Sequence, residues 1–128
     1  MKLLLDTNAL IWWLKDNPKL GAHARSLIED SQTVVIVSIV SLWEVTIKWR
    51  IGKLEYSGTS LMGLLTELGI TPIFVKPSHL LAIDTLALHH RDPFDHMILA
   101  QAKAEGAQIV TSDEEMTFYG VPCIPAMR

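Results

Sequence analysis

Apolar residues are grouped along this chain in two kinds of pattern: short continuous runs, and longer stretches with a spacing of three to four residues. The short runs are typical of buried strands, and the β-branched run TVVIV is the clearest of them. They predict strands over residues 2–5, 33–37, 73–75, 107–111 and 121–124. Pro122 and Pro125 restrict the last strand to a sheet edge, because proline cannot donate a ladder hydrogen bond.

The stretches with helical spacing predict six helices between these strands. They are a short helix after Asp6, one over 19–29, one entered near Ser38 and Ser41 that reaches about residue 51, one over 59–68, one within the stretch 77–90, and one over 93–105. Ser78 is the expected cap of the fifth helix, and Pro93 is the expected first residue of the sixth. Glycines at positions 52, 69 and 106 follow three of the predicted helix ends.

Strands separated by helices predict βαβ units. The expected fold class is therefore α/β, with a mainly parallel central sheet of four to five strands that helices cover on both sides. No linker, repeat or low-complexity segment divides the chain, so we expect a single domain over residues 1–128. In such sheets ligands bind beyond the carboxyl ends of the strands, and functional residues are expected there.

The composition excludes several classes of protein. With 49% hydrophobic and 20% charged residues among 128, the chain can build a compact core. No apolar run approaches the roughly 20 residues that a membrane helix needs, and the first residues lack the pattern of a signal peptide. A single cysteine, Cys123, cannot form an internal disulfide. These features predict a cytoplasmic protein without a membrane span.

Four acidic residues stand in apolar surroundings near the predicted strand ends. Asp6 follows the first strand directly, and Asp113 follows the strand over 107–111 after one serine. Glu44 lies in the helix after the second strand, and Asp95 lies in the first turn of the helix that starts at Pro93. An isolated charge among apolar residues is unfavourable unless it is compensated. We therefore expect these side chains to meet at one edge of the sheet.

Each of the four acids also has a purely structural explanation. Glu44 could close a capping box with Ser41, and Asp95 could complement a helix dipole. Asp6 could be a helix cap, and Asp113 could belong to a solvated turn. Each explanation is adequate for one residue, but all four acids would then share one end of a sheet by chance.

Clustered carboxylates repel each other, and a cation is their natural counter-charge. Oxygen ligands suit hard ions such as Mg²⁺ or Mn²⁺, which bind through a few carboxylates and substrate phosphates. The chain has no Cys/His spacing of a zinc site and no glycine-rich phosphate loop. The chemistry that this pattern favours is metal-assisted hydrolysis of a phosphodiester.

Four segments, LLLDTNALIWWL, SLWEV, RDPFDHMILAQA and IVTSDEEM, are similar to the four acidic motifs of PIN domains, and specifically of the small VapC-type ribonuclease toxins of bacterial toxin–antitoxin pairs. The resemblance covers nearly the whole chain. It implies an endoribonuclease that uses Mg²⁺ or Mn²⁺, an RNA substrate, a cognate antitoxin and a homodimer. It also implies that the metal-binding, catalytic acids are Asp6, Glu44, Asp95 and Asp113.

The same resemblance gives roles to other polar positions. Asn8 and Thr111 match polar positions around the site and are expected to orient ligands or water. Asp92 matches the first aspartate of the DPFD segment and is expected to be a cap with site contact. Many relatives carry arginine where this chain has His96, so a phosphate contact is not expected there. We expect His96 to face a neighbouring helix or solvent.

Two further groups of residues have open interpretations. The net charge of −3 is not typical of a nucleic-acid binder, yet three basic residues lie close together and either guide an RNA backbone or cover apolar surface: Lys48, Arg50 and Lys53. The four tryptophans either pack in the core or line a groove for a partner: Trp12, Trp13, Trp43 and Trp49.

Two other classes of protein are weighed against the nuclease. A response-regulator receiver needs an acidic pair after the first strand and a lysine after the last, whereas Asp6 has no adjacent acid. A catalytically silent PIN fold that only binds RNA or protein is the second alternative. The presence of all four acids favours the enzyme.

Overall fold

The computed structural model describes residues 1–128, and it has a parallel sheet between layers of helices. The strands are β1 (Lys2–Leu5), β2 (Val34–Ile36), β3 (Gln108–Thr111) and β4 (Cys123–Pro125), and their order is β2-β1-β3-β4. The helices are α1 (Thr7–Leu14), α2 (Ala22–Glu29), α3 (Ile39–Arg50), α4 (Gly58–Glu67), α5 (Pro77–Asp84), α6 (Pro93–Glu105) and a 3-10 helix (Glu114–Tyr119). The predicted α/β class is confirmed. None of the helices is both long and apolar enough to cross a membrane.

The central strand β1 shows why helices cover both faces of the sheet. Successive residues of a strand point to opposite faces, and all three leucines of β1 are fully buried. Leu3 and Leu5 belong to a core of 15 buried residues to which α1, α2, α3 and α4 contribute. Leu4 belongs to a second core of eight residues, on the other face, to which α6 contributes. A continuous apolar run is therefore what a strand with two covered faces requires.

The carboxyl ends of β1 and β3 lie side by side. Leu5 pairs with Val110 in the parallel register, and the next residue, Asp6, donates its backbone N–H to Val110 O at 3.1 Å. Asp113 follows β3 after one serine, and α3 begins shortly after β2. One edge of the sheet thus collects the segments that carry the acids.

The helix α6 has the predicted bounds, because both of its ends carry strong local signals. Asp92 caps it by accepting hydrogen bonds from Phe94 N at 2.9 Å and Asp95 N at 3.2 Å, and Pro93 occupies the first helical position. Gly106 ends the helix in the left-handed region at φ 66°, which glycine adopts without steric cost.

The predicted strand over 73–75 is wrong. Only Ile73 makes a sheet-like contact, an isolated bridge to Ser38, and the sheet therefore has four strands, the lower of the two predicted numbers. Pro72 precedes the segment and cannot donate to a ladder. Phe74 is 64% exposed and Val75 is 41% exposed, so no covered face extends the bridge into a strand.

Three helix boundaries also differ from the prediction. α5 begins after Lys76 and not at a Ser78 cap, because the residue before a proline is held extended and Pro77 takes the first helical position. It ends at Asp84, well before His90. α2 starts at Ala22, since residues 17–20 form a turn in which Lys19 N donates to Asn17 Oδ1 at 2.9 Å. The 3-10 helix after β3 was not predicted.

Candidate metal centre

A polar cavity of about 160 Å³ lies at this edge of the sheet, and no apolar residue lines it. The four acids from the sequence motifs surround it together with a lysine, a threonine, an asparagine and a fifth acid. The lining residues are Asp6, Thr7, Asn8, Glu44, Lys48, Asp92, Asp95 and Asp113. Segments that are more than 100 positions apart in the chain therefore contribute to one site.

Asp6 is both a helix cap and a cavity residue, so its two interpretations are compatible. Its Oδ1 accepts a hydrogen bond of 2.8 Å from Ala9 N at the start of α1, and only 7% of the residue is exposed. Burial raises the pKa of its carboxyl from 3.8 to about 6, and the charges of Asp95 and Asp113 add to the increase. The Thr111 hydroxyl and the Ala9 N–H act in the opposite direction.

Glu44 faces the cavity from within α3, and the capping-box interpretation of this residue is wrong. Ser38 is the cap of α3, with its hydroxyl accepting from Val40 N at 3.1 Å, and Ser41 lies inside the helix. Glu44 Oε1 accepts a hydrogen bond of 2.7 Å from Thr7 Oγ1. Glu44 Oε2 lies 2.9 Å from Lys48 Nζ, one turn further along the same helix.

Asp92 and Asp95 approach the cavity from the start of α6. Asp92 is the predicted cap of this helix and also lines the cavity. Asp95 Oδ2 lies 3.0 Å from His90 Nε2. Burial raises the pKa of the Asp95 carboxyl, and the neighbouring charges of Asp92 and Asp113 add to this, whereas His90 lowers it.

Asp113 lies at the exposed rim of the cavity, where it caps the 3-10 helix. Its Oδ1 accepts from Glu115 N at 2.9 Å, and its own N–H donates to Thr111 Oγ1 at 3.0 Å. Thr111 is buried and does not line the cavity, so it contacts the site through Asp113 and Asp6. Asn8 is exposed at the rim.

The three basic residues of the sequence pattern are separated by the structure. Lys48 lines the cavity beside Glu44. Arg50 and Lys53 are exposed and do not line it. Only Lys48 therefore brings positive charge directly to the carboxylates.

The sequence motifs did not indicate two residues that contact the acids, Thr7 and His90, or a third, Tyr119, that contacts one of these two. Thr7 bonds to Glu44, His90 bonds to Asp95, and the hydroxyl of Tyr119 bonds to His90. The pair His89-His90 directly before RDPFD was the available signal. His96 does face a helical segment, since its ring packs edge to face against Tyr119 and its Nε2 lies 3.3 Å from the Tyr119 hydroxyl.

The donor set fits a hard divalent cation. Five carboxyl groups surround one small cavity, and a single lysine is the only basic residue in its lining. Mg²⁺ and Mn²⁺ bind through carboxylate oxygens and water. His90, Asp113 and Glu115 form a second group whose potential ligand atoms lie within 4.8 Å of one another at the exposed side.

The tryptophans occupy two kinds of environment. Trp12 and Trp13 are half-buried and pack against the larger core. Trp43 is 61% exposed and Trp49 is 47% exposed. Trp43 packs edge to face on Phe94, with ring centroids 5.2 Å apart, in an apolar groove between α3, α5 and α6. The core interpretation holds for the first pair, and Trp43 instead lines an apolar groove, whose role for a partner stays a prediction.

Residues 3–121 match the PIN domain family. This chain is a PIN domain. Among curated proteins, the domain is 30% identical to Ribonuclease VapC16 of Mycobacterium tuberculosis over 70 residues, which are 49% of this chain and 50% of that protein. The alignment therefore spans about half the length of this relative.

Solved structures with the same fold include two VapBC assemblies. One is VapBC2 from Rickettsia felis bound to a DNA fragment from its promoter, with a TM-score of 0.71, 15% identity, and coverage of 97% of this chain and 98% of that chain. The other is VapBC-1 from nontypeable Haemophilus influenzae, with a TM-score of 0.68, 18% identity and full coverage of both chains. At these identities the similarity establishes the fold of the PIN domain.

Proposed function

We propose that this PIN domain is an endoribonuclease that depends on Mg²⁺ or Mn²⁺ and acts as the toxin of a toxin–antitoxin pair. The observation that carries the proposal is the cavity in which carboxylates from the residue after β1, from α3, from the start of α6 and from the segment after β3 converge without any apolar lining. The 30% identity to a protein named a ribonuclease supports the reaction class. The fold shared with VapBC assemblies supports the toxin role.

In this proposal the metal ligands are Asp6, Glu44, Asp95 and Asp113. A divalent cation in such a site lowers the pKa of a water molecule and stabilises the leaving oxygen of a phosphodiester. Asp6 and Asp95 suit this role because burial makes their charges unfavourable without a cation.

Other residues hold the acids or the substrate. Thr7 orients Glu44 by donating to one of its oxygens. Thr111 supports the backbone of Asp113, and Asp92 holds the first turn of α6. Lys48 supplies a positive charge at the cavity wall, suited to an RNA phosphate, and Arg50 and Lys53 extend that charge beyond the cavity on the exposed end of α3 and the residues after it.

An RNA cleavage assay tests the reaction. Wild-type protein is incubated with structured and unstructured RNA in Mg²⁺, in Mn²⁺ and in EDTA. We expect cleavage with either ion and none in EDTA. Glu44→Gln should lose more than about 100-fold in rate, since it removes a charged ligand but keeps its shape. Glu67→Gln on the exposed side of α4 is the matched control and should cleave like wild type.

The alternative function is that of a catalytically silent PIN module that binds RNA or protein. RNA binding without cleavage in either ion would favour it. Cleavage that persists in EDTA would contradict the metal site instead, so the two failures are distinguishable.

We further infer a cognate antitoxin and a homodimer as partners. The acidic cavity is complementary to an arginine or lysine of a small inhibitory protein, which would mimic the charge of the metal. The exposed apolar surface at Trp43 supports burial against another protein chain.

Purification from the native host should recover the small protein, and light scattering of the isolated chain should give the mass of a dimer. A monomer that is recovered alone and is harmless on overexpression would contradict both inferences. The cytoplasmic location stays a prediction.

A further inference from the structure

We infer that His90 and Tyr119 are positioning residues for Asp95, and that they act through a chain of hydrogen bonds with one fixed direction. The inference rests on the proposed metal role of Asp95. It concerns the loop between α5 and α6 and the last residue of the 3-10 helix, which contact each other next to Asp95, one of the residues that line the polar cavity. Neither residue lies within the four sequence motifs that carry the acids.

The hydroxyl of Tyr119 is the centre of this arrangement. Two backbone N–H groups donate to it, from His89 at 3.2 Å and from His90 at 3.0 Å. Its oxygen also forms a hydrogen bond with Nδ1 of the His90 ring. Nε2 of a second ring, that of His96, lies further from the hydroxyl, at 3.3 Å. Tyr119 is thus the last residue of one helical segment and the anchor of the loop before another.

Counting protons gives the direction of these bonds. A phenolic hydroxyl has one proton to donate and two lone pairs to accept with. Backbone N–H groups can only donate, so those of His89 and His90 use both lone pairs. The one proton of the hydroxyl is left for a ring nitrogen, and Nδ1 of His90 is the closer of the two candidates. A proton on Nδ1 would face an oxygen that has no lone pair free.

The direction of the first bond determines the tautomer of His90. Because Nδ1 accepts, the proton of the neutral ring is on Nε2. Nε2 lies 3.0 Å from Asp95 Oδ2 and donates to it. The chain therefore runs from the Tyr119 hydroxyl through the His90 ring to the Asp95 carboxylate. Oδ2 is engaged by His90, and Oδ1 is the oxygen left for the cavity.

This chain links two acid-bearing segments of the site. Asp113 caps the 3-10 helix at its first turn, and Tyr119 ends the same helix. Through His90, the far end of that helix holds Asp95 on α6. Asp95 is close to the like charges of Asp92 and Asp113, which oppose its ionised form. A donor on Oδ2 keeps the carboxylate in place against that repulsion. Outer partners of metal ligands commonly change metal affinity by about 10- to 100-fold.

The tautomer can be measured on the protein in EDTA, without any metal. Two-bond ¹H–¹⁵N spectra of protein labelled with ¹⁵N-histidine identify the protonated ring nitrogen. We expect the His90 ring of wild type to carry its proton on Nε2, and we expect Tyr119→Phe to lose this preference. Tyr56→Phe is the matched control, because Tyr56 is also half-buried but contacts Lys15 on the α1 side. A proton on Nδ1 of His90 in wild type would overturn the inference.

Metal affinity is the second readout, with Mn²⁺ as the probe in titration calorimetry. His90→Ala should bind Mn²⁺ about 10- to 100-fold more weakly than wild type, and Tyr119→Phe about tenfold more weakly. His90→Gln should recover most of the loss, because the glutamine amide can take the place of Nε2–H as donor to Asp95. His23→Ala, an exposed histidine on α2, should bind like wild type.

The outcomes separate the inference from the proposed function. A His90→Gln variant that is as weak as His90→Ala would overturn the positioning role and indicate that His90 is itself a ligand with Asp113 and Glu115. Equal affinity in all variants would also overturn it. Wild-type protein that binds no Mn²⁺ would overturn the proposed metal site, while the spectra in EDTA would still decide the Tyr119–His90 hydrogen bond.

Discussion

Thr7 Oγ1 donates a hydrogen bond of 2.7 Å to Glu44 Oε1, and this contact joins the first residue of α1 to the middle of α3. Thr7 is buried, and its hydroxyl also lies 3.1 Å from Ser41 Oγ. Because Thr7 directly follows Asp6, the same turn that presents one acid also orients another. The second oxygen of Glu44 pairs with Lys48, so both oxygens of this carboxylate have defined partners.

We expect Thr7→Val to weaken Mn²⁺ binding by roughly tenfold and to lower the free energy of unfolding by about 1–2 kcal/mol. Valine keeps the shape of threonine but cannot donate to Glu44. Thr7→Ser keeps the hydroxyl and should retain most of the affinity. Calorimetry and urea unfolding measure the two effects. Unchanged Mn²⁺ binding by Thr7→Val would mean that Glu44 is oriented without this bond.

Asp6→Asn should stabilise the protein in EDTA at neutral pH. The folded protein holds this carboxyl at a pKa of about 6, against 3.8 without burial. Its contribution to stability is therefore fully present below pH 4 and is lost as the pH rises through 6, where a buried group must ionise. The raised pKa corresponds to roughly 3 kcal/mol at most, and asparagine can keep the cap to Ala9 N. We expect a melting temperature of the order of 5 °C higher for Asp6→Asn at pH 7.5, and no advantage at pH 4.

Thermal melts across pH 4 to 8, with and without Mn²⁺, check this prediction. The gain from Mn²⁺ should be smaller in Asp6→Asn than in wild type, because a ligand stabilises the fold according to its affinity. Asp30→Asn, an exposed aspartate after α2, is the control and should follow wild type at every pH. A wild-type response to Mn²⁺ in Asp6→Asn would remove Asp6 from the proposed site.

Lys48→Met should act on metal and RNA in opposite directions. Nζ of Lys48 lies 2.9 Å from Glu44 Oε2, and its positive charge opposes a cation at the same carboxylate. We expect Mn²⁺ to bind the variant at least as tightly as wild type. RNA should bind more weakly, and the slope of log affinity against log salt should fall by about one. Filter binding at several salt concentrations measures this slope. Lys53→Met, outside the cavity, is the control and should leave Mn²⁺ binding unchanged. A loss of Mn²⁺ binding in Lys48→Met would contradict the inference that the charge of Lys48 opposes a cation at Glu44.

Two glycines of α4 should respond in opposite ways to alanine. A Cβ at Gly58 would lie 2.1 Å from Leu42 O and 2.4 Å from Thr46 Oγ1, whereas a Cβ at Gly63 meets nothing within 4 Å. Gly58→Ala should therefore force α3 and α4 apart and cost about 2–3 kcal/mol or more. Gly63→Ala should stabilise the helix by roughly 0.5–1 kcal/mol. Urea unfolding of both variants tests this; equal effects would show that the close packing of α3 and α4 is absent in solution.

Several elements follow from local signals in the sequence. Asp92 and Pro93 define the start of α6, and Gly106 defines its end, because a cap, a fixed φ and a left-handed residue act within one turn of the chain. The leucines of β1 likewise predict a strand with two covered faces, because a continuous apolar run is a signal within a few consecutive residues. Hydrophobic periodicity reports the local conformation and the buried side, and these properties need no distant partner.

The tertiary structure decided what depends on distant partners. Whether the segment at Ile73 forms a strand depends on a neighbouring strand to pair with and on other residues that would bury Phe74. The three residues 73–75 specify neither of these. The bond from Thr7 to Glu44 spans 37 positions, and Tyr119 reaches His90 across 29. Such contacts depend on strand order and helix packing, and these are set by how the side chains of the whole core pack together. The sequence alone therefore determined which acids follow the strands, and only the packed structure determined which neighbours hold them in place.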